Sequence, residues 1–227
     1  YYNNRRQKVR AALRALIGKG SPADICEEIE LFSLREKVNL AAMTPDQIRA
    51  FMIDHNLGIE CSGFAYYILD TESLARKKGS IKKHRVLSHA SLLRKLIAQI
   101  RPVENMGVVN FTDEKNSKEI EINHAHPGDI IVMRVSKART YEDHILVVTN
   151  VLYNKGEVQK IDYVHSIAWS EDGKFGSGIS HGSITVNRKK NLLEATWTER
   201  GHENISNETY RRASDASSLS LRRLNWF

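Results

Sequence analysis

Glu60-Cys61-Ser62-Gly63-Phe64-Ala65-Tyr66-Tyr67-Ile68-Leu69 marks the point where a loop gives way to a helix that is apolar on most faces. A helix of that composition belongs in a core. Its first turn carries backbone N–H groups with no intrahelical partner and the positive end of the helix dipole, which favour an anion there. A cysteine in that place is expected to have its thiol pKa lowered from about 8.5 and its thiolate enriched. The same N–H groups suit an oxyanion. Ser62 and Gly63 are small and leave room beside the sulfur for a substrate carbonyl. The plain alternative is that Cys61 is a small core residue.

Upstream of this helix the sequence reads as more helix: Val9 to Ile17, Pro22 to Phe32 after Ser21, and Pro45 to His55 after Thr44. Downstream, Ser62 to Leu74 and Ser88 to Ile100 continue the pattern. After Pro102 the apolar period shortens to that of strands, at Gly107 to Phe111, Glu119 to Asn123, Asp129 to Val135, His144 to Tyr153, Val158 to Trp169 and Ser183 to Asn187. Pro127-Gly128-Asp129 and Asn154-Lys155-Gly156-Glu157 are turn signals, and the second closes a hairpin between adjacent strands. Helices first and an antiparallel sheet afterwards predict an α+β fold. Residues from about Asn204 are Ser- and Arg-rich and end in scattered apolar side chains, the pattern of a loose tail whose apolar end packs back on the domain.

A nucleophile needs a base. His144 opens the strand His144-Ile145-Leu146-Val147-Val148, and a histidine at a strand mouth can face a cleft while its neighbours anchor it. Imidazole titrates near neutrality, so it can take a thiol proton and return it to a leaving amine. The hairpin partner, Ile161-Asp162-Tyr163-Val164-His165-Ser166-Ile167, puts His165 on one face and Asp162 on the other. One of them is expected to hold the imidazole; His165 is the first choice and Asp162 the reserve. A metal site is the competing use of histidine here. His124 and His126 share a strand face at i, i+2, but two ligands do not close a zinc site, so His144 or His181 would have to join them.

With 227 residues and 41% hydrophobic content the chain can bury a real core. It contains no run of about 18 apolar residues, and Tyr1 to Arg6 lack the apolar stretch of a signal peptide. It starts without Met, which is compatible with a removed export signal or anchor and leaves localisation open. Two cysteines, Cys26 and Cys61, are read as reduced thiols. A net charge of +7 favours anionic partners such as nucleic acid, acidic lipid or a wall polymer, although no nucleic-acid motif interleaves the basic residues with aromatics.

Three segments taken in order, Glu60-Cys61-Ser62-Gly63-Phe64, Pro127-Gly128-Asp129-Ile130-Ile131, and His144-Ile145-Leu146-Val147-Val148 followed by Tyr163-Val164-His165-Ser166, resemble the NlpC-type family of papain-fold cell-wall peptidases and amidases. The resemblance covers about half of the chain, from Gly58 to Ile167. It implies a papain-like α+β fold with the catalytic helix on an antiparallel sheet, Cys61 as nucleophile, His144 as base and His165 as the third member, with no cofactor. It departs from the family at Glu60, where Asp is usual, and upstream, where a substrate-lining Tyr is missing; His55 or Asn56 is the expected replacement donor, beside Ser62. The domain layout that follows is a helical extension over 1–43, a hydrolase domain over 44–200 and a polar tail over 201–227. The implied activity is hydrolysis of a peptide amide through a thioester, with peptidoglycan stem peptides as the leading substrate and a secreted or cell-envelope location if so. The alternative is a catalytically silent module that holds an anionic polymer or nucleic acid.

Overall fold

Ser21 and Thr44 each begin a helix in the same way: the hydroxyl accepts an N–H three residues on, and the side chain found there, Asp24 or Gln47, accepts the cap N–H in return. Pro22 and Pro45 occupy the first helical position, where a missing N–H costs nothing. In the computed structural model, which describes residues 13–88, 90–135, 142–173, 178–187 and 191–227, these are helices α1 (Pro22–Glu36) and α2 (Pro45–Asp54). They are followed by α3 (Cys61–Ala75), α4 (Ile81–His84), α5 (Leu92–Ile100) and α6 (Val108–Phe111). The strands are β1 (Ser117–Glu119), β2 (Ile130–Arg134), β3 (His144–Asn154), β4 (Glu157–Ile167), β5 (Gly178–Thr185), β6 (Thr196–Glu199), β7 (His202–Glu203) and β8 (Ser218–Leu224), with α7 (Glu208–Asp215) before the last.

The eight strands form one antiparallel sheet in the order β1-β8-β2-β3-β4-β5-β6-β7. Side chains alternate between its faces. Ile130, Val132, Ile145, Val147 and Val164 join Ala65, Tyr66 and Leu69 of α3 in one core. Ile131, Met133, Leu146, Val148, Ile161, Tyr163 and Trp197 form a second core on the opposite face, closed by Ala213 of α7. Each fully buried large side chain contributes about 1.5–3 kcal/mol, so both faces of the sheet are held firmly. The α+β class expected from the sequence is what the chain adopts.

Several boundaries differ. Gly107 to Phe111 is not a strand: Asn110 Oδ1 accepts the Gly107 N–H at 2.9 Å and starts the one-turn helix α6, which buries Val108 and Phe111 three residues apart. Of the next expected strand, Glu119 to Asn123, only Glu119 lies in a strand, as the last residue of β1, and Ile122–His124 form a 3₁₀ turn. α5 begins at Leu92 because Ser91 caps it. The expected start of a first helix at Val9 lies outside the described residues, although 13–16 are helical. Across the expected boundary at residue 43, Ala15 and Ile29 share a hydrophobic cluster with Phe51 and Leu57.

The largest correction concerns the tail. Residues 218–224 form β8, which lies between β1 and β2 and pairs Ile131 with Leu221. Its polar residues are satisfied inside the fold: Arg222 donates to Ser117 Oγ at 2.8 Å and pairs with Glu114, and Arg223 pairs with Asp129 at 2.7 Å. Among the described residues, no helix is long and apolar enough to cross a membrane.

Candidate active site

Cys61 is the first residue of α3, and Glu60, the N-cap, makes no side-chain cap bond to the first-turn amides. The helix start is set against three neighbours. Gly18 O accepts the Glu60 N–H at 2.9 Å, the Tyr67 hydroxyl donates to Lys19 O at 2.9 Å, and the Ser166 hydroxyl donates to Ile59 O. The last of these ties the loop before Cys61 to the strand that carries His165. Gly63 is required by this packing, because a Cβ on it would stand 2.6 Å from Gly18 O. A cleft of about 1010 Å³ opens here, and Cys61, Asn56, Asp143, His144 and Arg212 are among its lining residues.

Behind His144 runs a buried chain of polar groups. His144 Nε2 lies 2.6 Å from His165 Nδ1, and His165 Nε2 lies 3.1 and 3.3 Å from the two oxygens of Glu199. Glu199 also accepts from the Tyr163 hydroxyl at 2.8 Å, from Trp169 Nε1 at 3.1 Å and from the Ser180 hydroxyl. Burial works to raise the Glu199 carboxyl, but the hydrogen bond and charge of His165 and the bond from Ser180 outweigh it and bring it to about 2. Burial lowers both imidazoles, and for His144 the neighbouring His165 and Arg212 add to it, holding it well below 6.5. Both rings are therefore neutral near pH 7, and His165 carries charge only in acid, where Glu199 itself titrates.

Those facts fix the protons. A carboxylate only accepts, so His165 Nε2 carries its hydrogen toward Glu199. Neutral His165 then presents a bare Nδ1, which accepts from His144 Nε2–H. Neutral His144 is left with a bare Nδ1 as its remaining acceptor, on a residue that lines the cleft. This is the tautomer a general base needs.

The sulfur is placed less favourably. Cys61 Sγ donates to Asp143 O at 4.0 Å, one residue from His144, and not to the imidazole. Strand alternation groups His144 with Leu146 and Val148 on the face away from α3, so sulfur and ring approach the cleft from opposite sides of the sheet's end. Burial and the charge of Glu60 push the thiol up to about 11, against smaller lowering by the Ile145 backbone, Lys19 and Arg212. The lowered thiol expected from the helix start is thus overturned by desolvation, and the resting pair is thiol and neutral imidazole.

No protein-family model, curated protein or solved structure matches the chain.

Of the residues expected from the sequence, Cys61, Asn56 and His144 line the cleft and His165 stands behind His144. Ser62 also borders the cleft, but its side chain is engaged elsewhere. Its hydroxyl is turned into a buried cluster, where Lys19 Nζ donates to it at 2.6 Å and to Met106 O at 3.0 Å while pairing with Glu60. His55 does not reach the cleft: it bonds Glu36 at 2.7 Å and Phe51 O at 2.7 Å, and its ring packs on Phe32 and Phe51. Asp162, the reserve third member, faces Lys160 and Asn150 at a half-exposed position far along the hairpin. His126 contacts Tyr153, and among the described residues no group of three or more His, Cys, Asp or Glu is arranged to hold a metal ion. Sequence reasoning missed Glu199, Lys19 and Arg212. Thr196-Trp197-Thr198-Glu199 did carry the alternating signal of a strand with Trp197 and Glu199 on one face.

Proposed function

We propose that this chain is a cysteine hydrolase of papain-like, NlpC-type architecture that cleaves a peptide amide through a thioester on Cys61. The observation that carries the reading is the Glu199–His165–His144 chain, which leaves a bare imidazole nitrogen on a residue of the cleft that Cys61 lines. In this mechanism His144 Nδ1 takes the thiol proton as the sulfur attacks the carbonyl carbon. The first-turn amides of α3 receive the oxyanion, the C–N bond breaks as His144 returns its proton to the amine, and water then hydrolyses the thioester. Starting from a neutral pair, the thiolate forms only as the proton moves. The resemblance makes a peptidoglycan stem peptide the first substrate to try.

A second reading, a silent module that binds an anionic polymer in the same cleft, is favoured by one observation: Cys61 bonds a carbonyl instead of the imidazole. The two part on turnover. Muropeptides and model peptide amides are incubated with wild type, Cys61→Ala and His144→Ala, and Cys61 is examined by mass spectrometry for an acyl adduct. Turnover with an adduct in wild type, lost by at least about 10³-fold in both variants, supports the hydrolase. Turnover that survives Cys61→Ala sinks it, and muropeptide binding with neither cleavage nor adduct hands the cleft to the second reading.

A further inference from the structure

Helix α5 is mounted the wrong way round for a globular protein. At 100° per residue, Leu92, Leu93, Leu96, Ile97 and Ile100 fall on one stripe. That stripe should face the core, yet these side chains are 82, 68, 66, 41 and 69% exposed, while Ala98 on the opposite side is 1% exposed and is the helix's contact with the domain. The mounting is firm. Arg85, itself buried, donates to Ala98 O at 2.6 Å and to Pro102 O at 2.9 Å, and Asn105 Nδ2 donates to Arg101 O at 2.9 Å. The domain therefore grips α5 by its backbone and small face and presents its large apolar side chains outward.

Charge says what they meet. Nine of the chain's 34 Lys and Arg lie in residues 76–103 and none of its 27 Asp and Glu does, so elsewhere the acidic residues outnumber the basic ones. The positive excess of the whole protein is thus concentrated in the segment that holds this helix. Apart from Arg85 these cations are exposed: Arg76, Lys77, Lys78, Lys82 and Lys83 precede the helix, and Arg94, Lys95 and Arg101 flank its stripe. A second copy of the chain would bring the same cations against themselves, and a nucleic acid would leave the leucines wet. An apolar stripe flanked by Lys and Arg suits a surface that is anionic outside and apolar just beneath.

We propose that α5 with the exposed basic residues of 76–101 is a docking surface for an anionic lipid membrane, the stripe lying in the headgroup boundary without crossing it. Val109, 54% exposed, lines both the cleft of Cys61 and a neighbouring groove shared with Arg94, so docking places the cleft mouth close to the lipid. The inference does not depend on the chemistry of Cys61.

The test is co-sedimentation of the full chain with phosphatidylglycerol-containing or pure phosphatidylcholine vesicles at low and high salt. Wild type is compared with Leu92→Glu/Leu96→Glu/Ile100→Glu and with Lys77→Glu/Lys78→Glu/Lys82→Glu/Lys83→Glu, each checked for unchanged melting temperature. Expected is partitioning to the anionic vesicles alone, weakened by salt and reduced about tenfold or more in either variant. A blue shift of Leu93→Trp fluorescence on adding those vesicles is expected even if a multiple variant misfolds. No partitioning, equal partitioning to both lipids, a variant series without effect, or a concentration-dependent dimer abolished by the apolar triple variant would overturn it; the last outcome would make a second copy the occupant.

Discussion

The two halves of the candidate site are built to different standards. On the sheet side, Glu199, His165 and His144 form an unbroken chain in which every proton has an assigned place, packed among Tyr163, Trp169 and Trp197. On the helix side, Cys61 has a weak bond to a backbone carbonyl and a thiol pushed up to about 11 by burial and Glu60. A base can be preorganised in a folded core because its working form is neutral; a nucleophile that must become an anion cannot, unless something stabilises the charge. Under the proposed mechanism the resting protein holds His144 ready as base and keeps Cys61 latent as nucleophile.

The largest test of this contrast is Glu199→Gln. A Gln amide can donate to His165 Nε2, which reverses both tautomers and puts the proton on His144 Nδ1, so kcat is expected to fall by about 10³-fold or more with little change in fold. An unchanged kcat would mean the chain is only core structure. Next is acid stability. The histidines and Glu199 bind protons less readily folded than unfolded, so their contribution is complete above the unfolded values and is lost on acidification, first below 6.5 and then from 4.5 towards 2. The Glu199 step is worth about 3 kcal/mol, and denaturant titrations against pH should show it in wild type and not in Glu199→Gln. Smallest is Gly63→Ala on the helix side, where the new methyl meets Gly18 O: a loss of about 1–3 kcal/mol is expected, read as a lower midpoint. A midpoint raised by the better helix former would show that the backbone at Gly18 yields easily.

How much of this was legible follows from how local each signal is. The Cys61 helix start, the hairpin at residues 154–157 and the strand opened by His144 announce themselves within a few residues. Glu199 did not, because its importance lies in donors from β4, β5 and the segment after β4, which only the sheet brings together. The strand Ser218–Leu224 was read as tail because two arginines and two serines within seven residues look solvated. Their partners, Glu114, Ser117 and Asp129, lie far back in the chain, and no local pattern reveals such a match. His55 failed for the opposite reason: its closeness to Cys61 in sequence suggested a shared site, while the turn at Asn56, with φ of 54°, carries it away to Glu36.

The place of β8 has a consequence for how the molecule comes into being. Arg222 and Ser117, which it brings together, are 105 residues apart in sequence. Until residues 218–224 have left the ribosome, β2 is an unpaired apolar edge of the kind that recruits strands from other chains, and β1 has no partner within the sheet. Closure of this sheet is a late, long-range event that sets a slow folding rate, and a nascent chain stopped short of it would need a chaperone or a neighbour to shield that edge.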